Sequence, residues 1–128
     1  MIDKQDTYSL IKELAFDGDR RFEAADILGS MGARAVKPLA QALKVDNWCL
    51  RGNAAWTLGT IGDPEAVEPL IDVLRDEVPE VRVSASTALV NIGEPAIEPL
   101  KGAAKKDPGI SRLVTCIIDR INSKHMTA

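Results

Sequence analysis

Aromatic side chains are scarce in this chain: two Phe, two Trp and one Tyr among 128 residues. A core of stacked rings is thereby excluded. The plentiful apolar residues include many Ala, which suits helices packed closely through small side chains. The single histidine, His125, stands near the C-terminal end, so a histidine-rich metal or acid–base centre is excluded. Two cysteines, Cys49 and Cys116, form no CxxC and fall in different repeats. With helices between them they are expected to stay unbridged, as in a reducing cytoplasm. No apolar run reaches membrane-spanning length, and the opening MIDKQDTYSL holds no apolar signal segment. A formal charge of −3 is too weak for a broad electrostatic hold on nucleic acid.

What the chain does contain is itself, several times over. Leu28, Leu58 and Leu89 recur, followed by Gly32, Gly62 and Gly93, then Pro38, Pro69 and Pro99, then Leu39, Leu70 and Leu100, at a period of thirty or thirty-one residues. Such a period belongs to stacked supersecondary units. Each unit reads as two helices. In DPEAVEPLIDVLR, Asp63 caps and Pro64 opens the first, with Val67, Leu70, Ile71 and Leu74 as its apolar stripe. Pro69 has no N–H to return to the carbonyl of Glu65, which predicts a tightened first turn and a regular helix from about Val67. Pro38 and Pro99 predict the same in their units. The second helix carries Leu50, Ala54, Leu58 and Ile61 inward and ends at Gly62. Residues 6–16 and 108–122 fit the first and second helix types. The expectation is one domain, 1–128, of eight helices in four pairs, with repeats at about 1–32, 33–62, 63–93 and 94–124. In the last helix, Ser111, Thr115, Asp119 and Asn122 avoid the stripe, as a polar cap requires.

The pattern GDPEAVEPLIDVLRD…VR…A…AL…IG resembles the HEAT-like repeat of the phycobilisome-lyase type, and the resemblance covers nearly the whole chain. It implies a right-handed α-solenoid whose second helices line a concave binding face. It also implies an acid between helices and an Arg early in the second helix, stacked as a ladder: Asp46 with Arg51, Glu77 with Arg82, Asp17 with Arg21. In the fourth unit Asp107 and Arg112 keep the spacing, while the apolar register puts Ser111 at the Arg position. Some proteins with this repeat are di-iron hydroxylases with His–Glu ligand pairs; this chain has no such pair. Without a Cys cluster or a phosphate loop, neither a metal nor another cofactor is expected. The cysteines lack a neighbouring histidine and read as small apolar filler rather than nucleophiles.

One constellation remains. On a helical wheel Trp56 falls nearly opposite the Leu50–Ala54–Leu58–Ile61 stripe, near Cys49, Gly52, Asn53 and Thr60, with Trp48 at the start of the same helix. Matching places in the neighbouring second helices hold Phe22 and Asp26, then Val83, Thr87 and Asn91, then Arg112, Cys116 and Arg120. Trp and Arg are frequent anchors of binding surfaces, and Gly52 is expected to leave room for a ligand. The reading is a non-enzymatic, cytoplasmic scaffold that binds a protein or peptide on this face. A bilin-lyase-like or other enzyme-associated subunit with a small molecule in a Trp-lined groove is the alternative. Nucleic acid and membrane are not expected partners, and a homodimer through the same face is open.

Overall fold

A computed structural model describes residues 4–16 and 18–126, with side chains described for 7–16 and 18–124. It holds eight α-helices and, among the described residues, no strand: α1 (Lys4–Glu13), α2 (Asp19–Met31), α3 (Ala33–Ala42), α4 (Trp48–Ile61), α5 (Val67–Val73), α6 (Pro79–Ile92), α7 (Ile97–Lys106) and α8 (Ser111–Met126). Each odd-numbered helix packs on the even-numbered one that follows it. The even helices also pack on one another in the order α2, α4, α6, α8. The odd helices form a second layer behind them, α1 on α3 and α5 on α7, with the turn before α5 seated on α3. The product is a two-layer α-solenoid of four helix pairs. Its core lies between the layers, where Leu14, Leu28, Leu39, Leu58, Leu70, Leu89 and Leu100 are fully covered.

The recurring prolines shape the first turns. Before α5 and α7 the chain makes one 3-10 turn, Pro64–Ala66 and Glu94–Ala96. Pro69 and Pro99 then fall at the third position of a helix, where an N–H has no intrahelical partner in any case. In α3 the expectation differs from the structure: Pro38 lies well inside a continuous helix. The underlying bond is nevertheless shared. Ala35 donates to Gly32 O at 3.0 Å, as Ala66 does to Asp63 O at 3.0 Å and Ala96 to Gly93 O at 2.9 Å. Each of these alanines is fully buried, and these three units open on an i→i−3 bond. Asp63 caps as expected, accepting the Glu65 N–H at 2.9 Å, and Gly62 ends α4 with a left-handed φ of 75°.

The ladder is present with different partners. Arg51 donates from Nε to Asp76 Oδ2 at 2.7 Å and from Nη2 to Asp76 Oδ1 at 3.2 Å. Its Nη1 donates to Val45 O at 2.9 Å. The acid is therefore neither Asp46 nor Glu77; both stay exposed. Asp76 is held in place because its Oδ1 also accepts the Val78 N–H at 2.9 Å, and Arg82 Nη1 donates to its backbone O at 2.7 Å. Asp107 repeats that turn on Gly109, at 3.0 Å, but pairs with Arg75 of the preceding unit at 2.7 Å. The rungs thus run between units rather than within them. In the last unit Ser111 takes the inner register, donating to Ala104 O at 3.5 Å, while Arg112 is exposed. Asp17 lies outside the described residues.

Candidate functional site

The faces of α2 and α4 turned away from the first-helix layer carry two large exposed rings. Phe22 is 56% and Trp56 48% exposed. Trp56 sits there because Ala54, Ala55, Leu58 and Gly59 occupy the buried sides of α4, which leaves only its free side for an indole. The free side has the same character along the stack. Asp26, Thr60, Val83, Asn91, Arg112, Cys116 and Arg120 are exposed, and Thr87 is half-buried.

Between α2 and α4 the helices part to leave a cavity of about 230 Å³ lined by Leu14, Arg21, Phe22, Ala25, Asn53 and Trp56. The contrast with the next joint explains it. Gly59 brings α4 so near α6 that a Cβ there would lie 2.6 Å from Ala88 Cα. On the α2 side the larger Asn53 and Trp56 stand in the way. Asn53 reaches through, its Nδ2 donating to Leu14 O at 2.7 Å at the end of α1. The Arg21 guanidinium covers Phe22, 4.8 Å from the ring centre, a cation–π distance.

Of the residues the sequence singles out for binding, the structure brings Phe22, Asn53 and Trp56 together. Trp48 follows the α4 cap, where Asn47 Oδ1 accepts the Leu50 N–H at 3.1 Å, and it does not line the cavity. It stands two turns from Trp56, roughly 12 Å along the axis, so the expected pair of central indoles is one indole. Gly52 does not leave open room either: a Cβ there would meet Ser84 Oγ at 3.7 Å on α6. Asn91 belongs to a separate hollow beside Ile121 and Lys124, accepting from Lys124 Nζ at 3.3 Å. Sequence reasoning missed Leu14 and Ala25 and gave Arg21 only a ladder role. Asn53 is tied to a backbone carbonyl, which no side-chain spacing reveals.

Among the described residues no group of three or more His, Cys, Asp or Glu side chains is placed to hold a metal ion. Cys49 and Cys116 are both free thiols. Among the described residues no helix is long and apolar enough to cross a membrane.

Stacked helix pairs with one free layer of second helices define a helical-repeat protein. The model of the HEAT repeat family matches residues 7–85 and again 36–115, so the chain belongs to the HEAT repeat family. That match is to HEAT repeats in general; the phycobilisome-lyase type is a finer likeness than it shows. Among curated proteins the chain is similar to deoxyhypusine hydroxylase of Drosophila melanogaster, 33% identical over 106 residues, covering 79% of this chain and 35% of that protein. It is similar also to the Homo sapiens protein of that name, 34% identical over 99 residues, covering 75% of this chain and 33% of the other. The solved structure of human deoxyhypusine hydroxylase in complex with glycerol follows 96% of this chain and 46% of its own, at a TM-score of 0.67 and 27% identity. The chain thus spans about a third of the length of the curated relatives it matches. These matches correct the functional expectation. A non-enzymatic protein- or peptide-binding scaffold does not stand, because the proteins matched along most of the chain are enzymes.

Proposed function

We propose that this chain serves deoxyhypusine hydroxylation, as a HEAT unit that holds the substrate in the α2–α4 cavity. One observation carries the reading: the human hydroxylase follows nearly the whole chain in fold and at 27% identity. The cavity supports it with a platform, Trp56, and a polar group, Asn53, on the free layer of the solenoid. The residues do the work of binding and orientation. Trp56 and Phe22 take the apolar part of the bound group, Leu14 and Ala25 form the floor, and Asn53 meets its polar end. Hydroxylases of this repeat class hold iron through His–Glu pairs, and the described side chains do not fit such a centre, so no step is routed through iron. The two free thiols agree with a reducing cytoplasm as the place of action.

The test is a fluorescence titration with a deoxyhypusine-containing peptide, followed by mass spectrometry of the peptide. Saturable change in Trp emission, at least about tenfold weaker in Phe22→Ala, which keeps the Trp56 reporter, is the expected result. Added oxygen on the peptide is not expected of this chain alone, because the described side chains do not fit the iron centre that would supply it. A peptide that leaves the emission unchanged sinks the proposal.

A further inference from the structure

We infer that two copies of this chain pair through the free layer of second helices, face to face about a two-fold axis. The charges on that layer are sorted by helix. On α2, Asp19, Glu23 and Asp26 are exposed at steps of four and three, on one side of the helix. On α8, Arg112 and Arg120 are exposed two turns apart, with the exposed Cys116 between them. None of these five charged groups forms an ion pair among the described residues. The contrary charges on the same two helices are turned elsewhere. Arg20 leans on Glu13 at 3.9 Å, Arg21 covers Phe22, and Asp119 lines the groove between α7 and α8. The helices between, α4 and α6, carry Trp56, Val83 at 64% exposed, and one exposed charge, Glu80 in the first turn of α6. The layer is acidic at one end, apolar in the middle and basic at the other.

A surface graded in this way is complementary to itself turned round. A half-turn about an axis lying along the helices, between α4 and α6, sets α2 of each copy against α8 of the other and α4 against α6. Both carboxylate rows then meet guanidinium rows, and Trp56 meets the partner's Val83 near the axis. Apolar anchors at the centre with charges at the rim are the anatomy of a specific interface. Four helices of 13 to 16 residues form the layer. At spacings of about 9 Å they cover roughly 35 Å by 20 Å, or about 700 Å² per copy, close to the roughly 800 Å² of a standard interface. Pairing also lays α6 and α8 of each copy over the α2–α4 cavity of the other, which encloses the group that the cavity holds.

Sedimentation equilibrium of the full chain tests this without any peptide, so its failure leaves the hydroxylase reading where it stands. The mass should rise from 13.8 kDa toward twice that value as concentration climbs from about 1 μM to about 1 mM, the range open to an interface of modest area. Salt at about 0.5 M should weaken the pairing by about tenfold or more, because exposed charge rows are screened. Two charge-reversed variants decide the geometry: Glu23→Lys with Asp26→Lys, and Arg112→Glu with Arg120→Glu. Each alone should stay monomeric, since like charges then face each other at both contacts. Mixed in equal amounts they should pair again, since the mixed pair restores both contacts. Should either variant fail to fold by circular dichroism, Val83→Glu decides: an acid at the exposed centre should abolish pairing. A parent that stays at 13.8 kDa, a mass that climbs past two copies, or a mixture of folded variants that stays monomeric overturns the inference.

Discussion

Two nitrogens of Arg51 grip both carboxylate oxygens of Asp76, and the two side chains are only 13% and 11% exposed. The Arg75–Asp107 pair has one equally short contact but is 41% and 37% exposed. Removing Arg51 strands a half-desolvated carboxylate, whereas removing Arg75 leaves Asp107 to water. Arg51→Ala is expected to cost about 2–3 kcal/mol, short of the roughly 3–5 kcal/mol of a fully buried pair. Arg75→Ala should cost about 0–1 kcal/mol; paired thermal melts check the order. The pH dependence follows from Asp76. Burial pushes its pKa up, but hydrogen bonds from Arg51 and the Val78 N–H, with the charges of Arg51 and Arg82, outweigh burial and hold it below the ordinary carboxylate value. A lowered folded pKa gives stability that is present above the ordinary Asp range and lost as pH falls through the lowered value. The gap in melting temperature between parent and Arg51→Ala should therefore narrow as melts move from neutral pH to about pH 3. A constant gap would mean that Asp76 gains nothing from Arg51. That Arg51 would hold a carboxylate was implied by the family resemblance, though none of the pairs it implied is formed among the described residues. The acid was not, because what selects Asp76 over Glu77 is the bond its carboxylate accepts from the backbone two residues on.

At the scale of the helix, two glycines make opposite demands. Gly59 faces α6, and an added Cβ would lie 2.6 Å from Ala88 Cα and 2.8 Å from Ala88 Cβ. Both are rigid, so the helices must separate. Gly59→Ala is expected to lose about 1–3 kcal/mol to overpacking, more than the roughly 1 kcal/mol that Ala gains in helix propensity. Gly102, on α7, is exposed, and an added Cβ would meet nothing within 4 Å. There the propensity acts alone, and Gly102→Ala should stabilise by about 0.5–1 kcal/mol. Denaturant midpoints of the two variants should move in opposite directions; a shared direction contradicts the α4–α6 contact. In the sequence both read simply as glycine within a helix, because close approach is a property of two helices and not of one.

For the molecule as a whole, each pair covers its neighbour. Ile110, Val114, Ile117 and Ile121 of the last unit are buried, and α8 packs on α6. Ending the chain after Lys106 removes all four and bares α6. At about 1.5–3 kcal/mol for each buried side chain, that is of the order of a small domain's whole stability. The truncated chain should lose its cooperative melt by circular dichroism; a melt as high as the parent's would show that α8 is not part of the stack. Period, helix pairing and layer order were all legible, since every unit restates the same apolar register. The free face was legible too, through Trp56 opposite its own stripe. The cavity was not: it arises where α2 and α4 fail to close, a mismatch between two surfaces that each look ordinary alone.

That unclosed joint also sets how the molecule bears tension. Between α4 and α6 the backbones nearly touch, and Arg51 clamps the loop beyond α5. Between α2 and α4 part of the contact is empty space, beside which the Asn53 amide reaches to Leu14 O at the end of α1. Pulled by its two ends, the solenoid is expected to keep the α4–α6 joint longest and to part at the sparser joints on either side of it, α2–α4 or α6–α8. A ligand seated in the α2–α4 gap stiffens that joint alone, so in a force trace the rip that shifts when the cavity is filled is the one that releases α1 and α2.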